Sequence, residues 1–164
     1  MPNELLKLIA PTSFLVDFDG LGQLTCKSCK IPQKKPKLAG GDAPVSSGQG
    51  GKFMRQINSV GFEGLFTFDI VCICSASPSS TSKKLRDWFQ KCLPSSEGGG
   101  GAWAANKESG SVYAYNIDNE VIQQWDFKEA FCSKYSMGEL NVESKDYLEE
   151  TYTMICEYWE QVPV

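Results

Sequence analysis

The stretch from Tyr147 to Glu160, YLEETYTMICEYWE, constrains the fold more than any other part of the chain. Read at a period of two, Leu148, Tyr152, Met154, Cys156 and Tyr158 fall on one face, and Glu149, Thr151, Thr153, Glu157 and Trp159 on the other. This is strand patterning, and the Thr, Tyr, Ile and Trp content suits a pleated surface. Fully extended, the stretch reaches roughly 40 Å, whereas strands usually run to about 5–6 residues. A strand this long must curve round a barrel or run past its own subunit, which makes 147–160 the expected backbone of the fold.

A chain of 164 residues is expected to form one domain, 1–164, with enough buried surface to fold without staples. No apolar run approaches the ~20 residues of a membrane span. The N-terminal MPNELLKLIAPTSF has too short an apolar patch for a signal peptide, so synthesis in the cytoplasm is expected. The seven cysteines then read as small buried hydrophobes kept reduced. A zinc site from Cys26-x-x-Cys29 and Cys72-x-Cys74 is the sharper alternative. However, the second pair lies inside the apolar run LFTFDIVCIC, and in a strand Cys26 and Cys29 point to opposite faces. No metal and no cofactor are expected.

The chain contains no histidine, which removes the commonest general base and the Ser-His and Cys-His nucleophile pairs. GGDAPVSSGQGG lacks the Lys-Ser/Thr end of a phosphate-binding loop, and GGGGAW reads as a linker. A non-enzymatic protein is expected.

Along the chain, Ser13 to Phe18 reads as a first strand, Asp19 to Gly22 as a turn and Gln23 to Ile31 as its hairpin partner. Pro32 opens a stretch rich in Pro, Gly, Ser and Lys, so 32–52 is expected to be a long loop or protruding arm. Phe53 to Val60 and Leu65 to Cys74 follow as strands. Ser80, Thr81 or Ser82 then caps a helix over 83–93, with Leu85, Trp88, Phe89 and Cys92 as its apolar stripe. Gly110 to Ile117 and Val121 to Lys128 flank Asp118-Asn119-Glu120 as a hairpin, and EAFCSKYSMGEL leads into the last strand. The fold class is therefore mainly β: an antiparallel barrel or sandwich of two sheets with one flanking helix and a long protruding loop.

The order of these features resembles the tail tube proteins of contractile-tailed bacteriophages of the T-even type, a family related in fold to inner-tube proteins of type VI secretion and other injection systems. The resembling residues are Pro11 with Phe14 and Val16, Cys26-Lys27 with Ile31-Pro32, and Phe53-Met54 with Ile57-Asn58 and Gly61. Asp87-Trp88, Ala130-Phe131, Gly138-Glu139-Leu140 and the terminal Glu157-Tyr158-Trp159-Glu160 continue the match. The Gly98 to Gly101 linker and the PQKKPK stretch depart from it. The resemblance implies a hexameric ring stacked into a hollow tube inside a contractile sheath. Its implied partners are sheath, baseplate, tape-measure and terminator proteins, and its implied location is the virion tail, assembled in the host cytoplasm.

Charge gives the expected contacts. Lys27, Lys30, Lys34, Lys35 and Lys37 place five positive charges in eleven residues, leaving 11 basic against 20 acidic residues elsewhere. Glu139 to Glu160 carries seven acids and one lysine. The lysine run is expected to reach the acidic surface of a neighbouring subunit, with Phe53, Glu139, Glu143, Glu149, Glu150 and Trp159 as further contact candidates. A net charge of −4 and the absence of interleaved aromatics argue against nucleic-acid binding, so DNA is expected to pass an acidic bore without specific contacts. The alternatives are the inner tube of a contractile injection or type VI secretion system, or a zinc- or ligand-binding β domain.

Overall fold

Alternating apolar residues dictate the layout of the core. The computed structural model describes residues 8–39, 46–47, 53–54, 58–62, 64–93 and 102–164, at 39, 46–47, 53–54 and 58–60 as backbone only. The strands of the first part are β1 (Phe14–Phe18), β2 (Gly22–Leu24), β3 (Ser28–Cys29), β4 (Pro36–Ala39), β5 (Ser46–Ser47), β6 (Phe53–Met54), β7 (Asn58–Phe62) and β8 (Phe66–Ile73). Helix α1 (Thr81–Cys92) follows, then β9 (Glu108–Tyr115), β10 (Val121–Met137), β11 (Glu149–Cys156) and β12 (Tyr158–Val162). Eight strands form one antiparallel network in the order β2-β1-β9-β10-β11-β8-β3, with β12 also on β10.

The long strand is β10, at 17 residues, and not the expected 147–160. Its first half pairs with β9 on one edge and β12 on the other, and its second half pairs with β11. The C-terminal stretch is two strands that break at Glu157, whose N–H donates to the Lys128 carbonyl. The break follows from β10, which slips register between Phe127 and Ala130 and again between Cys132 and Lys134. Glu129 sits at the slip before Ala130 with φ 52. Such bulges bend a strand and raise its twist, and here they carry β10 from one sheet into the other.

The two halves enclose the core. Val16, Phe18, Val112 and Phe127 from one sheet meet Phe68, Ile70, Cys72, Tyr152 and Met154 from the other. The Phe68 and Phe127 rings stack at 4.4 Å across the gap. Helix α1 starts where Ser80 accepts from the Lys83 N–H at 3.2 Å, and it buries Ser82, Leu85, Trp88 and Cys92, three and four residues apart. Trp88 lies 5.2 Å from Phe18 and donates its indole N–H to the Asn106 carbonyl at 2.7 Å.

Two local expectations resolve differently. The hairpin around Asp118 to Glu120 forms as read, with the Asn116 side chain accepting from the Asp118 and Glu120 N–H groups. The expected nine-residue partner of β1 does not. After Leu24 the Thr25 N–H donates to Thr81 Oγ1 on the helix at 2.8 Å. The chain then crosses to the other sheet, where β3 pairs with β8. The expected loop 32–52 contains β4 and β5, which pair with β7 and β6 beyond it, nested as in a hairpin outside the main network.

Candidate functional site

The strand patterning of β11 positions an acid where a hydrophobe would normally go. Glu150, Tyr152, Met154 and Cys156 are the inward residues of the strand, and Glu150 is 0 % exposed. It lies under α1 and accepts hydrogen bonds from Ser82 Oγ at 2.5 Å, Arg86 at 2.6 Å, Tyr152 at 3.0 Å and Tyr135 at 3.1 Å. Burial alone would push its pKa up, but the hydrogen bonds, from Ser82 and Arg86 first, outweigh burial and hold the carboxyl at about 2. Arg86 is correspondingly shifted upward, first by its bond to Glu150. Glu150 is therefore not a subunit-contact residue, because its carboxylate is used up inside the subunit. The even-numbered inward face of the strand contains it, so the alternation itself was the signal for this placement.

The lysine run lies along the outer edge of β8. The Lys27 N–H donates to the Val71 carbonyl and the Lys30 N–H to that of Asp69. The Lys27 ammonium pairs with Glu149 of the same chain. Lys34 stands 4.3 Å over the Trp159 ring and 5.6 Å and 5.8 Å from Tyr158 and Phe62, a cation–π cluster at the base of the β4–β7 pair. The Trp159 indole nitrogen is buried with no hydrogen-bond partner among the described residues. Thus the structure brings Lys27 to Glu149 and Lys34 to Trp159 within one chain. Lys30 and Lys35 lie beside Leu65 and Thr67 at the start of β8, Lys37 on β4, and Glu139 and Glu143 in the segment that joins β10 to β11. The Phe53 side chain lies outside the described residues.

Sequence reasoning missed Lys107, which pairs with Glu157 and lies 4.9 Å over Trp103, bracing the break between β11 and β12. In the segment 138–148 it picked out the acids Glu139 and Glu143 as contacts but not the exposed Leu140, Val142 and Tyr147 beside them. The thiols proposed for zinc are hard to ionise: burial pushes Cys29 up to about 12 and Cys72 up to about 11, and Cys26 higher still. Among the described residues no three His, Cys, Asp or Glu side chains are gathered as metal ligands. No described helix is long and apolar enough to cross a membrane.

Solved structures share this architecture. The sheath-tube complex of the extracellular contractile injection system PVC, in its extended state, aligns with a TM-score of 0.69 at 12% identity, over 96% of this chain and 93% of that one. The SPP1 tail tube aligns with a TM-score of 0.58 at 9% identity, over 96% and 80%. Hcp1 from Flavobacterium johnsoniae aligns with a TM-score of 0.51 at 14% identity, over 93% and 96%. Comparison with curated proteins finds no match. The family model described as T4-like virus tail tube protein gp19 matches residues 73–160, from the end of β8 through α1, β9, β10 and β11 into β12. That span is more than half of the chain and contains the doubly paired β10, the Glu150 network and the exposed 138–148 segment, and the chain belongs to the T4-like virus tail tube protein gp19 family.

Proposed function

We propose that the chain, as one domain over 1–164, is a structural subunit of a phage tail tube. Subunits form hexameric rings, and the rings stack into a hollow conduit for the genome inside a contractile sheath. The observation that carries this reading is the family match over 73–160. Head-to-tail contacts between such subunits generate rings and filaments. The tube works with sheath, baseplate, tape-measure and terminator proteins, in a virion tail assembled in the host cytoplasm. With a net charge of −4, the chain passes DNA without binding it. Lys30, Lys35, Lys37, Glu139 and Glu143 remain subunit-contact residues in this reading.

Electron microscopy of the purified chain at high concentration tests it. Hollow filaments or rings with sixfold averages are expected, and monodisperse monomers at every concentration would overturn it. A second reading, the inner tube of an injection device, is favoured by the TM-score of 0.69 to the PVC complex against 0.58 to the SPP1 tube. Genomic neighbours separate the two: capsid and terminase genes for a phage, an effector and an ATPase for an injection device.

A further inference from the structure

Two patches at opposite ends of β8 match one another. At the Leu65 end, beside the base of the β4–β7 pair, an open groove of about 310 Å³ is lined by Lys30, Ile31, Gln33, Lys35, Leu65 and Thr67. Leu65 is 72 % exposed there. Asp69 closes the far wall, and its carboxylate already accepts from Thr153 Oγ1 at 2.7 Å. The groove thus carries two lysines against one aspartate, with Ile31 and the exposed Leu65 as apolar surface among polar residues.

At the other end, Glu149 pairs with Ile73 and the Cys74 N–H donates to the Leu148 carbonyl, which fixes the root of the 138–148 segment. Leu140, Val142 and Tyr147 project from it at 81 %, 103 % and 82 % exposure. Glu139, Glu143 and Asp146 surround them, against Lys145 in the segment and Lys27 at its root, which pairs with Glu149 and lies near Asp146. The segment has a built shape: Asn141 accepts from the Glu143 N–H at 3.0 Å and from the Ser144 N–H at 3.1 Å, and the Gly138 N–H donates to the Glu149 carbonyl.

We infer that the 138–147 segment of one copy docks into the Lys30/Lys35/Leu65 groove of the next, with Leu140, Val142 or Tyr147 against Ile31 and Leu65 and with Glu139, Glu143 and Asp146 against the lysines. The inference rests on the tube-subunit reading and gives it a named contact. The occupant is a second copy for a geometric reason. The patches are separated by the length of β8, roughly 23 Å, and both are anchored to that strand, so they cannot meet within one chain. A knob and a groove at opposite ends of one strand make a heterologous contact, which propagates instead of closing on a two-fold axis. Its direction of growth follows β8. Burial of exposed hydrophobes supplies the affinity, and the opposed charges set orientation and exclude the reversed pairing.

The test compares wild type with three charge variants. E139K/E143K/D146K reverses the knob, K30E/K35E reverses the groove, and the combination reverses both. Circular dichroism and thermal unfolding check that each is folded, and sedimentation with electron microscopy reads the critical concentration for assembly. Each partial reversal should raise that concentration about tenfold or more, and the combination should return it to within about threefold of wild type. L140S/V142S, which touches no core contact, should also raise it. Wild-type tubes accompanied by equal assembly of all variants would overturn this contact and leave the tube-subunit reading standing. So would a combined variant no better than its parts. A wild-type chain that stops at closed dimers would overturn the head-to-tail contact, and one without any assembly would overturn both readings.

Discussion

Replacing Glu150 with glutamine removes the charge beneath α1 while keeping most of the side-chain volume. In the native protein this carboxyl is held at about 2 instead of the ordinary 4.5, despite complete burial. A difference of that size corresponds to about 3 kcal/mol of folding stability at neutral pH. The sign follows from the depressed value: the contribution is present above the unfolded carboxyl's titration and is lost as pH falls from about 5 towards 2. E150Q should therefore be about 3 kcal/mol less stable than wild type at pH 7, or roughly 10 °C lower in melting temperature for a domain of this size. The gap should close as the solution is acidified. R86M should cost about 3–5 kcal/mol, because it leaves a buried carboxylate unpaired. E150M/R86M, which removes both charges, should lose much less than the two single changes together. Chemical denaturation of dilute, unassembled protein between pH 7 and pH 2 measures all of this. If E150Q lies within about 1 kcal/mol of wild type at pH 7 and has the same acid limb, the carboxylate is not what holds the helix to the sheet.

Three other outcomes follow from local geometry. E129G should raise stability by about 0.5–1 kcal/mol in thermal melts, since Glu129 occupies a left-handed conformation at φ 52 that glycine adopts freely. G110A should destabilise the fold by several kcal/mol, about 3 or more, because a methyl there would stand 2.5 Å from the Asp17 carbonyl oxygen and the Phe18 ring. Denaturant midpoints would expose a tolerated alanine. Cysteine labelling at pH 8 should be slow in the native state and complete in denaturant, because burial lifts Cys29 and Cys132 to about 12 and Cys72 and Cys156 to about 11, leaving little thiolate.

Much of the β architecture was legible because it depends on alternation, which a single sequence carries. The inward Tyr152, Met154 and Cys156, the turn at Asp118 to Glu120 and the stripe of Leu85, Trp88 and Cys92 are all local patterns. What was not legible depends on partners distant in sequence. Nothing around Glu129 or Glu157 reads as a breaker, since neither position is Gly or Pro. The bend and the break arise because β10 changes neighbours there, from β12 to β11. Likewise Lys27 and Lys34 look like free charges in sequence, and their partners Glu149 and Trp159 lie over a hundred residues away. For Glu150 the alternation gave the inward face, and only the folded helix supplies Arg86 and Ser82 to neutralise it.

The central position of β10 has a consequence for biosynthesis. Phe14 pairs with Ala114, Ile70 with Tyr152, and Gln124 with Val162. As the chain leaves the ribosome, β1, β8 and α1 emerge long before β10 and β11, which complete the core around them. Until then their inner faces and edges are open to other chains. Pairings this remote in sequence close slowly, and open edges in the meantime invite aggregation. The nascent subunit is thus most vulnerable just before β10, β11 and β12 are made, when the inner faces of β1, β8 and α1 still lack their partners.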